Sequence, residues 1–144
     1  MEVKKVECTG KCYFVLLLAL FQFMECGILL IVMLKCKVQG FFAYVLLDLI
    51  LVMLCSIAIY FLLYWKNKKI VMSYNEIIYY PIIGKARTYS WNDVKKIYYK
   101  SGLRGHSRLV IETDKKIYMD CEMMKNCGET VKLIMKKGYL KTNI

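Results

Sequence analysis

Tyr13–Leu34 reads YFVLLLALFQFMECGILLIVML, and Phe41–Trp65 reads FFAYVLLDLILVMLCSIAIYFLLYW. Each run carries a single charged residue, Glu25 in the first and Asp48 in the second. The first run is 22 residues long, roughly 33 Å as a helix, which matches a bilayer core of about 30 Å. The second, with 25 residues, is long enough to cross with some tilt. Aromatic rings sit at the ends of both runs (Tyr13, Phe14, Phe41, Phe42, Tyr44, Tyr60, Tyr64 and Trp65), where one wet edge suits the headgroup layer. A signal peptide has an apolar stretch of only about 7–15 residues followed by a small-residue cleavage site, and the first run fits neither. The short segment Lys35–Gly40 between the runs forces an antiparallel helical hairpin.

Working outward, the chain is 58% hydrophobic over 144 residues and carries a net charge of +11. Soluble domains average about 45–50% apolar residues, and here the excess lies in the two runs. Residues 1–65 hold five Lys against four acids, whereas residues 66–144 hold seventeen Lys/Arg against seven acids. The basic character therefore belongs to the part after the second run. Lys4, Lys5 and Lys11 precede the hairpin and Lys66, Lys68 and Lys69 follow it, against Lys35 and Lys37 in the loop. The positive-inside rule then expects both termini in the cytoplasm of a multi-pass cell-membrane protein. The expected partition is a flank over 1–12, spans over 13–34 and 41–65 joined by an outer loop over 35–40, and a cytoplasmic domain over 66–144.

Seven cysteines, two of them inside the spans, do not read as a disulfide framework, and a cytosolic domain is kept reduced. Free thiols are expected. Cys8 and Cys12 lack a His or second Cys pair at ligand spacing, so no metal site is expected either.

Within the spans, Gln22, Glu25 and Asp48 are the polar residues of interest. Counted from the shared loop, Glu25 and Asp48 fall at similar depth, where a charged side chain costs about 2.5–3.5 kcal/mol even on the most lenient scale. Gln22 shares a helix face with Glu25. Such an intramembrane polar contact either carries ions or a partner, or it supplies hydrogen bonds that fix the hairpin or a homo-oligomer. Two helices alone enclose no pathway, which favours the second reading.

From Lys69 the period changes to short alternating runs rich in Val, Ile, Tyr and Thr: KIVMS (69–73), IIYYP (77–81), ARTYS (86–90), VKKIYYK (94–100), RLVIET (108–113) and KIYMD (116–120). This is the pattern of half-buried antiparallel strands. Asp114-Lys115 makes a tight hairpin connection. A closing amphipathic helix is expected, with Asn126 as N-cap, Glu129 as its capping-box partner, a buried Val131/Ile134/Met135 stripe, and Gly138 after its end.

The segment Lys69–Tyr139 resembles the bacterial pleckstrin-homology-like domains found beside membrane spans in small bacterial proteins. The residues carrying the resemblance are Gly84-Lys85, the run Tyr89-Ser90-Trp91-Asn92-Asp93-Val94-Lys95-Lys96-Ile97, the pair RLVIET and KIYMD, and the terminal helix ending in Lys136-Lys137-Gly138. The resemblance implies a membrane α-helical hairpin joined to an all-β or α+β domain. That domain would be a strongly bent antiparallel sheet or partly open barrel closed by a C-terminal helix, with a binding or scaffolding role. The first hairpin turn, Tyr74-Asn75-Glu76, lacks the Lys/Arg of phosphoinositide-binding relatives, so inositide recognition is not implied. Trp91 reads as a packing anchor.

No catalytic constellation is present. His106 stands alone, no phosphate-binding glycine loop follows a strand, and Gly102-Leu103-Arg104-Gly105 reads as a turn between strands. Neither enzyme activity nor a cofactor is expected. The basic residues Lys85, Arg87, Arg104, Arg108, Lys115 and Lys116 lie at or near hairpin ends, as a candidate patch for anionic inner-leaflet lipids or a protein partner. The membrane is a nearer polyanion than nucleic acid, which is not an expected ligand. The expected function is a protein- or anionic-membrane-binding scaffold or sensor. Small basic membrane proteins with such domains are also similar to immunity proteins that protect a cell against a membrane-active bacteriocin or toxin, and this is the alternative.

Overall fold

The structure, a computed structural model, describes residues 5–35, 40–101 and 107–140. In chain order the elements are β1 (Val6–Thr9), α1 (Tyr13–Lys35), α2 (Phe41–Asn67), β2 (Lys69–Met72), β3 (Glu76–Tyr80), β4 (Arg87–Ser90), a 3-10 turn (Trp91–Asp93), β5 (Lys96–Ser101), β6 (Ser107–Glu112), β7 (Lys116–Met119) and α3 (Cys127–Lys136). Both long helices are apolar and long enough to cross a membrane. Only 17% and 6% of their most apolar windows is buried, so neither is the core helix of a soluble fold.

The helices pack along a seam with alternating spacings of four and three. On α1 it runs through Val15, Ala19, Gln22, Cys26, Leu29 and Met33, and on α2 through Leu47, Leu51, Leu54, Ala58, Phe61 and Trp65, all partly or fully buried. That spacing keeps one stripe of each helix facing its partner. Ala19, Cys26 and Ala58 are small enough for the backbones to approach closely. The remaining faces expose Leu17, Phe21, Met24, Leu46, Leu49 and Met53.

The stretch before the hairpin is not a plain flank. Val6–Thr9 forms strand β1, which pairs antiparallel with β2 in the register Val6↔Met72 to Thr9↔Lys69. Glu7 and Lys69 add a cross-strand ion pair of 2.9 Å. The sheet domain is therefore discontinuous in sequence, and the helical hairpin is inserted between its first two strands. Cleavage after α1 would discard this edge strand of the sheet.

The described strands form two antiparallel sheets, one ordered β1-β2-β3-β4 and the other β5-β6-β7. The antiparallel strands and closing C-terminal helix are as expected; the strands lie in two sheets that are not closed into a barrel and share one core. Ile70, Met72 and Ile77 from the first sheet, Leu109, Ile111, Ile117 and Met119 from the second, and Ile134 from α3 form its fully buried centre. Trp91 closes the end away from the helices. It donates its indole N–H to the Ser73 carbonyl at 3.0 Å and stacks on Tyr139 at 5.6 Å, while the Tyr139 hydroxyl donates to the Trp91 carbonyl. A reciprocal capping box holds this turn: Ser90 Oγ accepts from the Asn92 N–H and Asp93 accepts from the Ser90 N–H.

Two local expectations are corrected and one is extended. Asn126 precedes α3 but sits in the left-handed region (φ 63°) with no side-chain cap hydrogen bond; it directly follows Lys125, which is tied by two backbone hydrogen bonds to Thr9. Of the expected stripe on α3, Ile134 is fully buried and Val131 and Met135 are half-buried, while Cys127 and Thr130 complete the buried face where the helix packs on β1. Cys121 and Cys127 are joined in a disulfide with Cα atoms 5.3 Å apart. The turns after β7 fold the chain back so that the first residue of α3 meets Cys121. Cys8, Cys12, Cys26 and Cys55 are free.

Candidate functional site

The N–H of Gly10 donates to the carbonyl of Lys68 at 2.8 Å, and Asn67 Nδ2 donates to the Ile82 carbonyl at the same distance. These bonds dock both hairpin legs onto the sheet domain at one end, which is thereby defined as helix-proximal. A polar cluster forms there. Asp120, just beyond β7, accepts from the Tyr64 hydroxyl of α2 at 3.4 Å and pairs with Arg108 Nε of β6 at 2.6 Å. Lys68, immediately after α2, is only 5% exposed, with its ammonium 5.7 Å from the Tyr64 ring centroid and 5.3 Å from that of Tyr79. Aromatic faces of this kind partly replace lost water around a buried cation.

The electrostatics follow from this burial. Desolvation lowers the Lys68 ammonium from its usual value; Asp120 partly restores it and Arg108 opposes it. Cys8 of β1, fully buried beneath α3, is raised to about 11, chiefly by burial and against a hydrogen bond from Thr130 and the nearby Lys68 charge. A thiol in this condition is a packing group, not a nucleophile. The cluster joins α2, β6 and the end of β7 through one carboxylate, and its chemistry is positional: it fixes the angle between hairpin and sheets. Among the described residues no group of three His, Cys, Asp or Glu side chains is placed to hold a metal.

The residues singled out from sequence are distributed as follows. Gln22 Nε2 donates to Glu25 Oε2 at 2.7 Å within α1. Asp48 does not join them. The contact between Cys26 and Cys55, 3.4 Å apart at the seam, sets the helix register, and at 1.5 Å per residue it places Asp48 about 12 Å along the hairpin from the level of Glu25. Counting from the loop misses this because α2 begins beyond the level at which α1 ends. Asp48 faces outward from the helix pair.

The six basic residues also separate. β2 runs away from α2, β3 returns, and so the exposed side chains of Lys85 and Arg87 lie at the helix-proximal end. Arg108 is proximal too, but it is engaged by Asp120. Lys115 and Lys116 are exposed at the opposite end, where Lys116 approaches Glu112 at 3.9 Å. Arg104, with its turn, lies outside the described residues. From sequence Tyr64 reads only as a belt aromatic, Lys68 as a flanking cation, Cys8 as a free thiol and Asp120 as the end of a strand run; their meeting at one contact is not expected. Their local patterns are ordinary and carry no signal of the contact. Comparison with protein-family models, curated proteins and solved structures finds no match to the chain.

Proposed function

We propose that the chain is an integral membrane protein of the cell membrane, anchored by the α1–α2 hairpin. Its sheet domain rests against the cytoplasmic leaflet as a protein- or anionic-membrane-binding scaffold or sensor. The single observation that supports this most is the placement of exposed cationic side chains. Lys66, Lys85, Arg87 and Lys100 are exposed at the end of the sheet domain that meets the hairpin, where anionic headgroups would attract each by about 1 kcal/mol. The pleckstrin-homology-like reading is supported by the seven described strands in two antiparallel sheets followed by a C-terminal helix. In that reading β1 supplies a strand which the compact stretch after Trp65 lacks, and the hairpin is an insertion between the first two strands.

Reconstitution of the full chain into vesicles with and without anionic lipid tests the proposal. Hydrogen exchange around Lys85, Arg87 and Lys100 should be slowed by anionic lipid and released by salt. Protection indifferent to both would remove the leaflet-binding role. Protease added outside intact cells should spare the domain beyond Trp65.

A further inference from the structure

The loop between β3 and β4 lies beside the end of α2. Tyr80 pairs with Lys69, two residues past the end of α2, so the chain that continues through Pro81, Ile82 and Ile83 is directed back along α2. The bond from Asn67 Nδ2 to the Ile82 carbonyl locks the loop at the level of the last turn of that helix. Gly84, at φ 114°, turns the chain in a conformation that side-chain-bearing residues rarely adopt. Ile82 is packed against the core, but Ile83 is 77% exposed, the next residue along and fully outside it. Lys85 and Arg87 follow, both exposed. An apolar tip followed closely by two cations gains burial only where an apolar phase with an anionic surface lies beside it.

We propose that this loop is a membrane-interface anchor: Ile83 inserts at the headgroup–acyl boundary of the leaflet from which α2 emerges, and Lys85 and Arg87 meet lipid phosphates beside it. The occupant is the bilayer because the loop is held level with the last turn of α2, and two turns earlier that helix exposes Ile59 and the ring of Tyr60, an aromatic suited to the boundary. Apolar area lowered into the boundary and cations held at the phosphates act together, as in interfacial amphipathic segments. The anchor would give the sheet domain a second attachment besides its covalent links, and so a defined tilt. The inference rests on the membrane reading above, and its test separates the two.

A benzophenone amino acid is placed singly at position 83, 74 or 49 of the full chain, which is reconstituted in vesicles of phosphatidylglycerol and phosphatidylcholine and irradiated. Tyr74 is exposed at the far end of the sheet domain, and Leu49 is exposed in α2. Lipid adducts at 83 at least fivefold above those at 74, together with adducts at 49, are the expected result. Adducts at 49 but a yield at 83 no higher than at 74 would overturn the anchor while leaving the spans in place. Absence of adducts at both 49 and 83 would overturn the membrane reading and the anchor with it. In the background K85Q/R87Q the yield at 83 should fall about threefold in phosphatidylglycerol vesicles; an unchanged yield overturns the assignment of those two cations.

Discussion

The Tyr64 hydroxyl, near the end of α2, donates a 3.4 Å hydrogen bond to Asp120, 56 residues away at the end of β7. The same carboxylate pairs with Arg108. One acid therefore joins the helical hairpin to the three-stranded sheet, although the chain itself connects the hairpin only to the four-stranded sheet.

Removing that acid leaves Arg108 and the buried Lys68 without their nearest negative charge. Asp120→Ala should destabilise the sheet domain by about 2 kcal/mol, in the range of hydrogen bonds to charged groups. Thermal unfolding in detergent, followed by tryptophan fluorescence, measures it. Lys116→Ala, at an exposed pair far from the joint, should change stability by less than about 0.5 kcal/mol.

Gly10 stands where the chain leaves β1 for α1. A Cβ there would lie 2.5 Å from the Tyr64 carbonyl oxygen, and a backbone atom cannot swing aside as a flexible side chain can. Gly10→Ala should cost about 1–3 kcal/mol. Gly128→Ala, where an added Cβ meets nothing within 4 Å, should be neutral or slightly stabilising. Paired unfolding curves of the two variants decide it.

Cys8 and Lys68 give opposite alkaline slopes. The Cys8 thiol is raised from 9.0 to about 11 on folding, so the unfolded chain loses its proton first, and this contribution to stability falls as pH rises from about 9 to 11. Lys68 is lowered from 10.5. Its unfavourable charged form is present below the lowered value, and stability rises through the window up to 10.5 as it is relieved. Stability between pH 8 and 11 should therefore fall less steeply in Cys8→Ala than in the parent, and more steeply in Lys68→Met. Slopes unchanged in both variants would disprove the assignment.

The Cys121–Cys127 bond closes a short loop beside the joint, and replacing both cysteines by Ser should cost about 2 kcal/mol in oxidised protein. In cells, a domain facing the cytoplasm would hold the pair as thiols. Alkylation of acid-quenched cells should then modify both. A pair that resists alkylation until reduced would place the domain on the opposite face.

The helical hairpin was legible from composition alone, because no packing arrangement is needed to explain two runs of that length with one charge apiece. The strands after Lys69 were legible for a similar reason: alternation in KIYM reports one wet and one dry face, and KIVM is a short apolar run bounded by turn residues, buried from Ile70 to Met72. β1 was not. In VECT only Val6 and Cys8 alternate, and the five residues between Lys5 and Lys11 look like a charged flank until β2 is present to pair with them. The Glu25–Asp48 pairing failed because depth counted from a loop assumes that both helices start level. The basic residues could be read as a set, but not as two sets at opposite ends, because strand direction relative to α2 assigns the ends.

Periodicity and run length, which depend on neighbours within a few residues, settled from sequence alone that this chain holds two bilayer-length helices, short antiparallel strands and a closing helix. Contacts between distant segments settled the rest: the strand donated from before the hairpin, the turning of α3 onto it, the cysteine pair, and the carboxylate shared between helix and sheet. Those contacts arise from backbone hydrogen-bonding edges and buried charges seeking partners, and such needs carry no local signature in the residues that meet them.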